Sequence, residues 1–355
     1  MKIASIIGVR PQFVKVSVVS QKLRQHHEEI LIHTGQHYDY QMNKIFFDQL
    51  GLPEPEFHLN IGSGSHGKQT GEMLSKIEDV LLKEKPDLVL TYGDTNSTLA
   101  GALAASKLHI KTAHVESGLR SFDRTMPEEI NRILTDHCSD ILFSPTPNAV
   151  ENLKKEGTTK NVYLTGDVMV DSLLFNKEIA EKESHVHEDL NLESGQYLVA
   201  TIHRASNTDD KNNLTNIVNA LSEIDENIIF PLHPRTEKFL KQYGLYDILK
   251  ESVVLTPPMG FFDFIKLMNN ARMILTDSGG IQKESYVLKV PCVTLRDNTE
   301  WIETIEDGWN VLVGADRLKI VEMVNEFRPA LEMHEDRFGN GDASEKIVEI
   351  IGANQ

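Results

Sequence analysis

Asp277-Ser278-Gly279-Gly280-Ile281-Gln282-Lys283-Glu284 is the stretch whose reading decides the fold. It follows the apolar run Met273-Ile274-Leu275, which reads as a buried strand, and precedes a helical pattern carried by Ile281, Tyr286, Val287 and Leu288. Ser278, Gly279 and Gly280 then stand at a helix N-terminus, where backbone N–H groups have no partner inside the helix and the dipole favours an anion. Two glycines let a phosphate approach the backbone closely. Glu284, one turn on, is placed to accept hydrogen bonds from a vicinal diol such as ribose. The stretch reads as a site for a nucleotide diphosphate, and equally as an ordinary strand-to-helix turn with Ser278 as its N-cap.

Working outward, the same strand-to-helix alternation recurs along the chain. Lys2 to Gly8 is a buried strand followed by Val9-Arg10-Pro11-Gln12, with Pro11 in the first turn of a helix where its missing N–H costs nothing. Further strands are expected at 29–34, 87–91, 111–115, 141–144 and 162–165, with a helix over 41–50. Residues 166–194 read as a linker holding one amphipathic segment and then a charged run in which His185 and His187 lie at the surface. The pattern restarts at 197–202 and continues with strands at 228–232, 253–256, 272–276 and 290–295. Repeated strand–helix units predict α/β architecture with doubly wound parallel sheets. The expected division is residues 1–167, residues 168–335, and a C-terminal helix within 336–355 that crosses back to the first domain.

The totals agree. At 355 residues the chain is too long for one ordinary core. Its charge, 36 − 53 = −17, argues against non-specific nucleic-acid binding. No apolar run approaches the roughly 18 residues of a membrane span. The N-terminal Met1-Lys2-Ile3-Ala4-Ser5 is the start of a strand, and Cys138 and Cys292 read as two buried thiols of a cytoplasmic protein. Gly62-Ser63-Gly64-Ser65-His66-Gly67 matches a dinucleotide fingerprint, but two strand–helix units precede it, and a mobile loop near an active site is the better reading. None of the usual metal-ligand spacings is present.

Open α/β sheets bind ligands at the carboxyl ends of their strands. In the first half those ends carry Arg10, with Lys15 one turn further, then Gln36 in a polar loop, Asp94 and Glu116. Glu128 and Arg132 share a helix face, which suits an ion pair or a pair of groups facing the cleft. The second half offers His203, Arg204, His233 and Ser278, groups suited to anions. Acids in one half and cations and glycines in the other suit acid–base chemistry on a sugar attached to a nucleotide diphosphate.

Six motifs resemble the non-hydrolysing UDP-N-acetylglucosamine 2-epimerase family over essentially the whole chain. They are Gly8-Val9-Arg10-Pro11-Gln12, Tyr92-Gly93-Asp94-Thr95-Asn96, His114-Val115-Glu116-Ser117-Gly118-Leu119-Arg120, Pro127-Glu128-Glu129-Ile130-Asn131-Arg132, His233-Pro234-Arg235 and Asp277-Ser278-Gly279-Gly280-Ile281-Gln282. The resemblance implies two Rossmann-like domains facing across a cleft in the GT-B arrangement, a homodimer, no cofactor and no metal. It implies inversion at C2 of a UDP-2-acetamido sugar by anti elimination of UDP and re-addition through a glycal. By the same resemblance Asp94, Glu116, Glu128 and His203 are catalytic. Arg10, Lys15, Gln36, Arg132, His233, Ser278, Gly279, Gly280 and Glu284 contact the substrate. Many relatives have Arg-Pro-Glu where Arg10-Pro11-Gln12 stands, and Arg-Pro-Glu where Trp301-Ile302-Glu303 stands. Both departures resemble the branch acting on UDP-2,3-diacetamido-2,3-dideoxyglucuronate, which makes that sugar the leading expectation and UDP-N-acetylglucosamine the alternative. A GT-B glycosyltransferase is a more distant one. The loop from Gly62 to Gln69 also departs from the pattern that forms an allosteric site in bacterial relatives.

Overall fold

The computed structural model describes residues 1–36, 47 and 50–354. The helix expected over 41–50 falls almost wholly outside them. The chain forms two compact units, Met1–Ser172 with Phe338–Gln355, and Leu173–Arg337.

Among its described residues the first unit is built on seven strands: β1 (Lys2–Ile7), β2 (Glu28–His33), β3 (Phe57–His58), β4 (Leu88–Tyr92), β5 (Lys111–Val115), β6 (Ile141–Ser144) and β7 (Val162–Leu164). All pair in parallel in the order β3-β2-β1-β4-β5-β6-β7. The reversal of direction falls between β1 and β4, where ligand crevices form in such sheets. The central strands carry unbroken apolar runs because both faces are covered by helices. On one face Ala4, Ile6, Ile32 and Val89 pack against Met73, Ile77 and Leu81 of helix His66–Glu84 and Ala100 and Ala104 of helix Asn96–Lys107.

The second unit repeats the plan with β8 (Tyr197–Thr201), β9 (Asn227–Pro231), β10 (Val254–Thr256), β11 (Met273–Thr276), β12 (Cys292–Thr294) and β13 (Asn310–Leu312). These are parallel in the order β10-β9-β8-β11-β12-β13. The short edge strand β13 was not legible in the sequence, because three residues carry too little pattern. Gly62–Gly67 leads from the two-residue edge strand β3 into helix His66–Glu84, far from the position a dinucleotide fingerprint occupies in this topology.

The expected linker is mostly helical, Val168–Glu183 and Val186–Leu190. His187 does not stand free at the surface: its Nε2 lies 2.9 Å from the Tyr197 hydroxyl, which itself donates to the Leu267 carbonyl. The C-terminal helix Ala343–Ala353 packs on helix Arg10–Leu23. Its first N–H groups, those of Ala343 and Ser344, donate to the buried Asp171 carboxylate at 3.2 and 2.7 Å. Cys292 is buried and Cys138 only half-buried. Among the described residues no helix is long and apolar enough to cross a membrane.

Candidate active site

In the first unit the carboxyl ends of β1, β4 and β5 converge. Gln12, at the third position of helix Arg10–Leu23, is buried and fully engaged. Its carbonyl accepts from Gly8 N–H (2.8 Å) and Val9 N–H (3.2 Å), and its amide donates to the Tyr92 carbonyl and the Thr98 hydroxyl. It ties the turn after β1 to the turn after β4. Arg10 stands exposed on the first residue of that helix. One turn on, Lys15 reaches the Glu116 carboxylate, both side chains being largely buried. Burial works to lower the Lys15 ammonium, but Glu116, Asp94 and Asp167 outweigh it and raise it. Lys15 is therefore a fixed cation paired with Glu116 in a setting of acids.

Asp94 follows Gly93, whose φ of +67° only a glycine takes without strain. Its carboxylate receives Arg132 Nη2 at 2.6 Å with about a third of the side chain open to solvent. Arg132 also donates to Glu129 at 2.9 Å. Glu129, not Glu128, is the acid that enters this network: it is buried and accepts the backbone N–H groups of Ser121 and Phe122, both at 2.9 Å. Glu128 is exposed at the start of helix Pro127–Cys138. The i, i+4 pairing of Glu128 with Arg132 is replaced by the i, i+3 pairing of Glu129, because Glu129 points into the unit and can collect two orphan N–H groups there. Glu116 itself has φ +73°, an uncommon conformation for a branched or long side chain, held by N–H bonds from Glu116 and Ser117 to the Phe143 carbonyl. Gln36 accepts from the N–H and hydroxyl of Ser97 at 3.2 and 2.7 Å, at the start of helix Asn96–Lys107.

In the second unit Asp277 is fully buried. It accepts the N–H groups of His203 and Arg204 at 3.0 Å each and the Asn207 amide at 3.1 Å. It thereby fastens the turn after β8 to the turn after β11. Burial lowers the His203 imidazole, Asp277 pulls it back up, and His233 and Arg204 lower it further. The His203 and His233 rings are 5.7 Å apart. Ser278 caps helix Gly279–Val287, accepting from Ile281 N–H. Gly279 lies beside Arg204, Glu300 and Trp301. Lys283 stacks on the Trp301 ring at 4.5 Å. Burial raises the Glu284 carboxyl, with Lys283 opposing. Each unit thus assembles its own half of the predicted residues: Lys15, Asp94, Glu116 and Arg132 in one, and His203, His233, Ser278 and Gly279 in the other. Glu129 and Asp277 were missed as partners. Both stand inside the motifs, Glu129 beside Glu128 and Asp277 beside Ser278, but the backbone each holds, Ser121 and Phe122 for one and His203 and Arg204 for the other, is distant in sequence.

Residues 21–352 match the family model described as UDP-N-acetylglucosamine 2-epimerase. A UDP-N-acetylglucosamine 2-epimerase homolog of Methanococcus maripaludis is 60% identical over 354 residues, 99% of both chains. The UDP-2,3-diacetamido-2,3-dideoxy-D-glucuronate 2-epimerase of Pseudomonas aeruginosa is 51% identical over 99% of both chains. The structure of UDP-GlcNAc 2-epimerase from Methanocaldococcus jannaschii is similar with a TM-score of 0.91 and 48% identity, covering 99% of this chain and 100% of that one. The chain belongs to the UDP-N-acetylglucosamine 2-epimerase family and is an isomerase of UDP-2-acetamido sugars.

Proposed function

We propose that the substrate is UDP-N-acetylglucosamine and the product UDP-N-acetylmannosamine. The burial of Gln12 removes one ground for preferring the diacetamido uronate, and the family description and the 60% identical relative then carry the assignment. Gln12, standing where many relatives have an acid, is one ground for expecting the uronate. A side chain spent on Gly8, Val9, Tyr92 and Thr98 has nothing left to offer a ligand, so its identity says nothing about substrate charge. The family description and the 60% identical relative support the same sugar. The uronate remains the second reading, favoured by the 51% identical relative and by Trp301.

In this reading the C1–O bond breaks first, because C2–H has no neighbouring carbonyl to acidify it. Negative charge then grows on the diphosphate, and Arg10, His203 and the N-terminal end of helix Gly279–Val287 stabilise it. Two acid–base groups are needed because the proton leaves one face of the sugar and returns on the other. Asp94, Glu116 and Glu128 are the candidates, with Lys15 and Arg132 setting the charge around the first two. Glu284 takes the ribose diol and His233 completes the anion side. NMR in D2O with each UDP-sugar separately tests the proposal. Deuterium at C2 with formation of the manno epimer from UDP-N-acetylglucosamine alone supports it. Exchange only in the uronate moves the second reading ahead.

A further inference from the structure

Beneath the two acid-bearing loops of the first unit lies a buried charged cluster that the mechanism above does not use. His114, on β5, has both ring nitrogens against acceptors: Nδ1 is 2.7 Å from Asp136 Oδ1 and Nε2 is 2.8 Å from the Gly93 carbonyl. A carbonyl only accepts, so Nε2 carries a hydrogen. Asp136, on helix Pro127–Cys138, uses its other oxygen to accept Gly118 N–H at 3.0 Å and forms an ion pair there with Arg120 Nη1 at 2.7 Å. Arg120 runs on to Glu156 in a two-bond pair, Nε to Oε1 at 2.8 Å and Nη2 to Oε2 at 2.7 Å. Burial pushes the Asp136 carboxyl up, but His114 and Arg120 outweigh it and hold it below its ordinary range.

What this cluster grips is specific. Gly93 immediately precedes Asp94, and its peptide is tied on both sides to β5: its N–H donates to the Val115 carbonyl at 3.0 Å and its carbonyl accepts from His114. Gly118 closes the turn that begins at Glu116, and its N–H is held by Asp136. One buried carboxylate therefore fixes the turn of Glu116 directly and the turn of Asp94 through a single imidazole. A buried ion cluster is weak evidence for stability, since apolar packing commonly serves as well. Its distinctive content is geometric.

We infer that His114 is a positioning residue: anchored on β5 beside Glu116, it sets where Asp94 stands by holding the Gly93 carbonyl. This rests on the proposed function, in which those two acids exchange protons with the sugar. A misplacement of about 1 Å at such a group costs on the order of 100-fold in rate.

Two substitutions separate positioning from mere support. In His114→Gln the side-chain amide reaches the place of Nε2 and still donates to Gly93, while the bond to Asp136 is lost. In His114→Asn the amide takes the place of Nδ1, keeps Asp136 and loses Gly93. Both remove the same ring from the same buried position, so melting temperatures should fall by similar amounts, and UDP affinity, in which His114 has no proposed part, should stay within about twofold. The expected result is a kcat lowered about 100-fold in His114→Asn with KM within about threefold, and a kcat within about fivefold of the parent in His114→Gln. Equal kcat losses in the two variants, or a loss confined to KM, would overturn the inference while leaving the epimerase reading intact. Failure of the unsubstituted chain to turn over either UDP-sugar would overturn that reading and this inference with it.

Discussion

The two units place the same residue types at matching strand ends and turn them in opposite directions. β4 and β11 are the fourth strands of their sheets, and each is followed by an aspartate. Asp94 stands partly open to solvent against Arg132, whereas Asp277 is fully buried and spends its oxygens on the turn that carries His203. The strands second from the edge show the reverse. His33, ending β2, is buried, and His233, just after β9, is exposed. Both use Nδ1 to accept the N–H two residues on, Gly35 for one and Arg235 for the other. One unit thus offers acid outward and keeps its histidine in, and the other does the opposite. A polar residue at a strand end marks a site in this topology, but burial decides whether it does chemistry or holds the chain that does.

The largest effect separates the two aspartates. Asp94→Asn should lower kcat about 1,000-fold and leave UDP affinity within about twofold. Asp277→Asn should instead weaken UDP binding at least tenfold and lower the melting temperature, with kcat at saturation reduced less than about tenfold. Identical kinetic profiles for the two would break the comparison. Next comes Gln12→Glu, which places a carboxylate against acceptors at Tyr92 and Thr98. It should cost about 3 kcal/mol in denaturant unfolding and leave the preference between the two UDP-sugars unchanged. A changed preference with unchanged stability would restore Gln12 as a reader of substrate charge.

The histidines are compared through acid. Burial, with a smaller push from His58, takes the His33 imidazole down to about 4, against about 6.5 in the unfolded chain. The unfolded chain therefore takes up the proton first as pH falls, and this contribution to stability is present above about 6.5 and lost toward about 4. At pH 5 the loss is about 2 kcal/mol. His33→Asn keeps an acceptor for Gly35 N–H and removes the titration, so its unfolding free energy should depend less steeply on pH between about 6.5 and 4 than that of the parent. An unchanged pH slope would place the acid sensitivity elsewhere. The smallest effect concerns the helix end. A methyl at Gly279 would lie 3.2 Å from Glu300 Oε2 and 3.6 Å from Arg204 Nη2, room enough to fold but in the path of a phosphate. Gly279→Ala should weaken UDP binding about tenfold, about 1.4 kcal/mol, by calorimetry. Unaltered affinity would move the diphosphate away from this helix end.

By itself the sequence determined the alternation of buried strand and helix, hence the two parallel sheets, and it marked the strand ends where chemistry collects. Apolar runs and Gly-containing turns are local signals, and local signals survive without coordinates. It also carried the family, since motifs such as Tyr92-Gly93-Asp94-Thr95-Asn96 are contiguous. Partnership was decided only by tertiary structure. Nothing local distinguishes Glu128 from Glu129, yet one is exposed and the other collects two backbone N–H groups and Arg132. Nothing local says that Gln12 is consumed inside the unit, or that Asp136, 22 residues from His114, holds two loops at once. Direction of a side chain depends on what packs around it, and that is fixed by segments distant in sequence, which is why the acids could be named from the chain and their roles only from the fold.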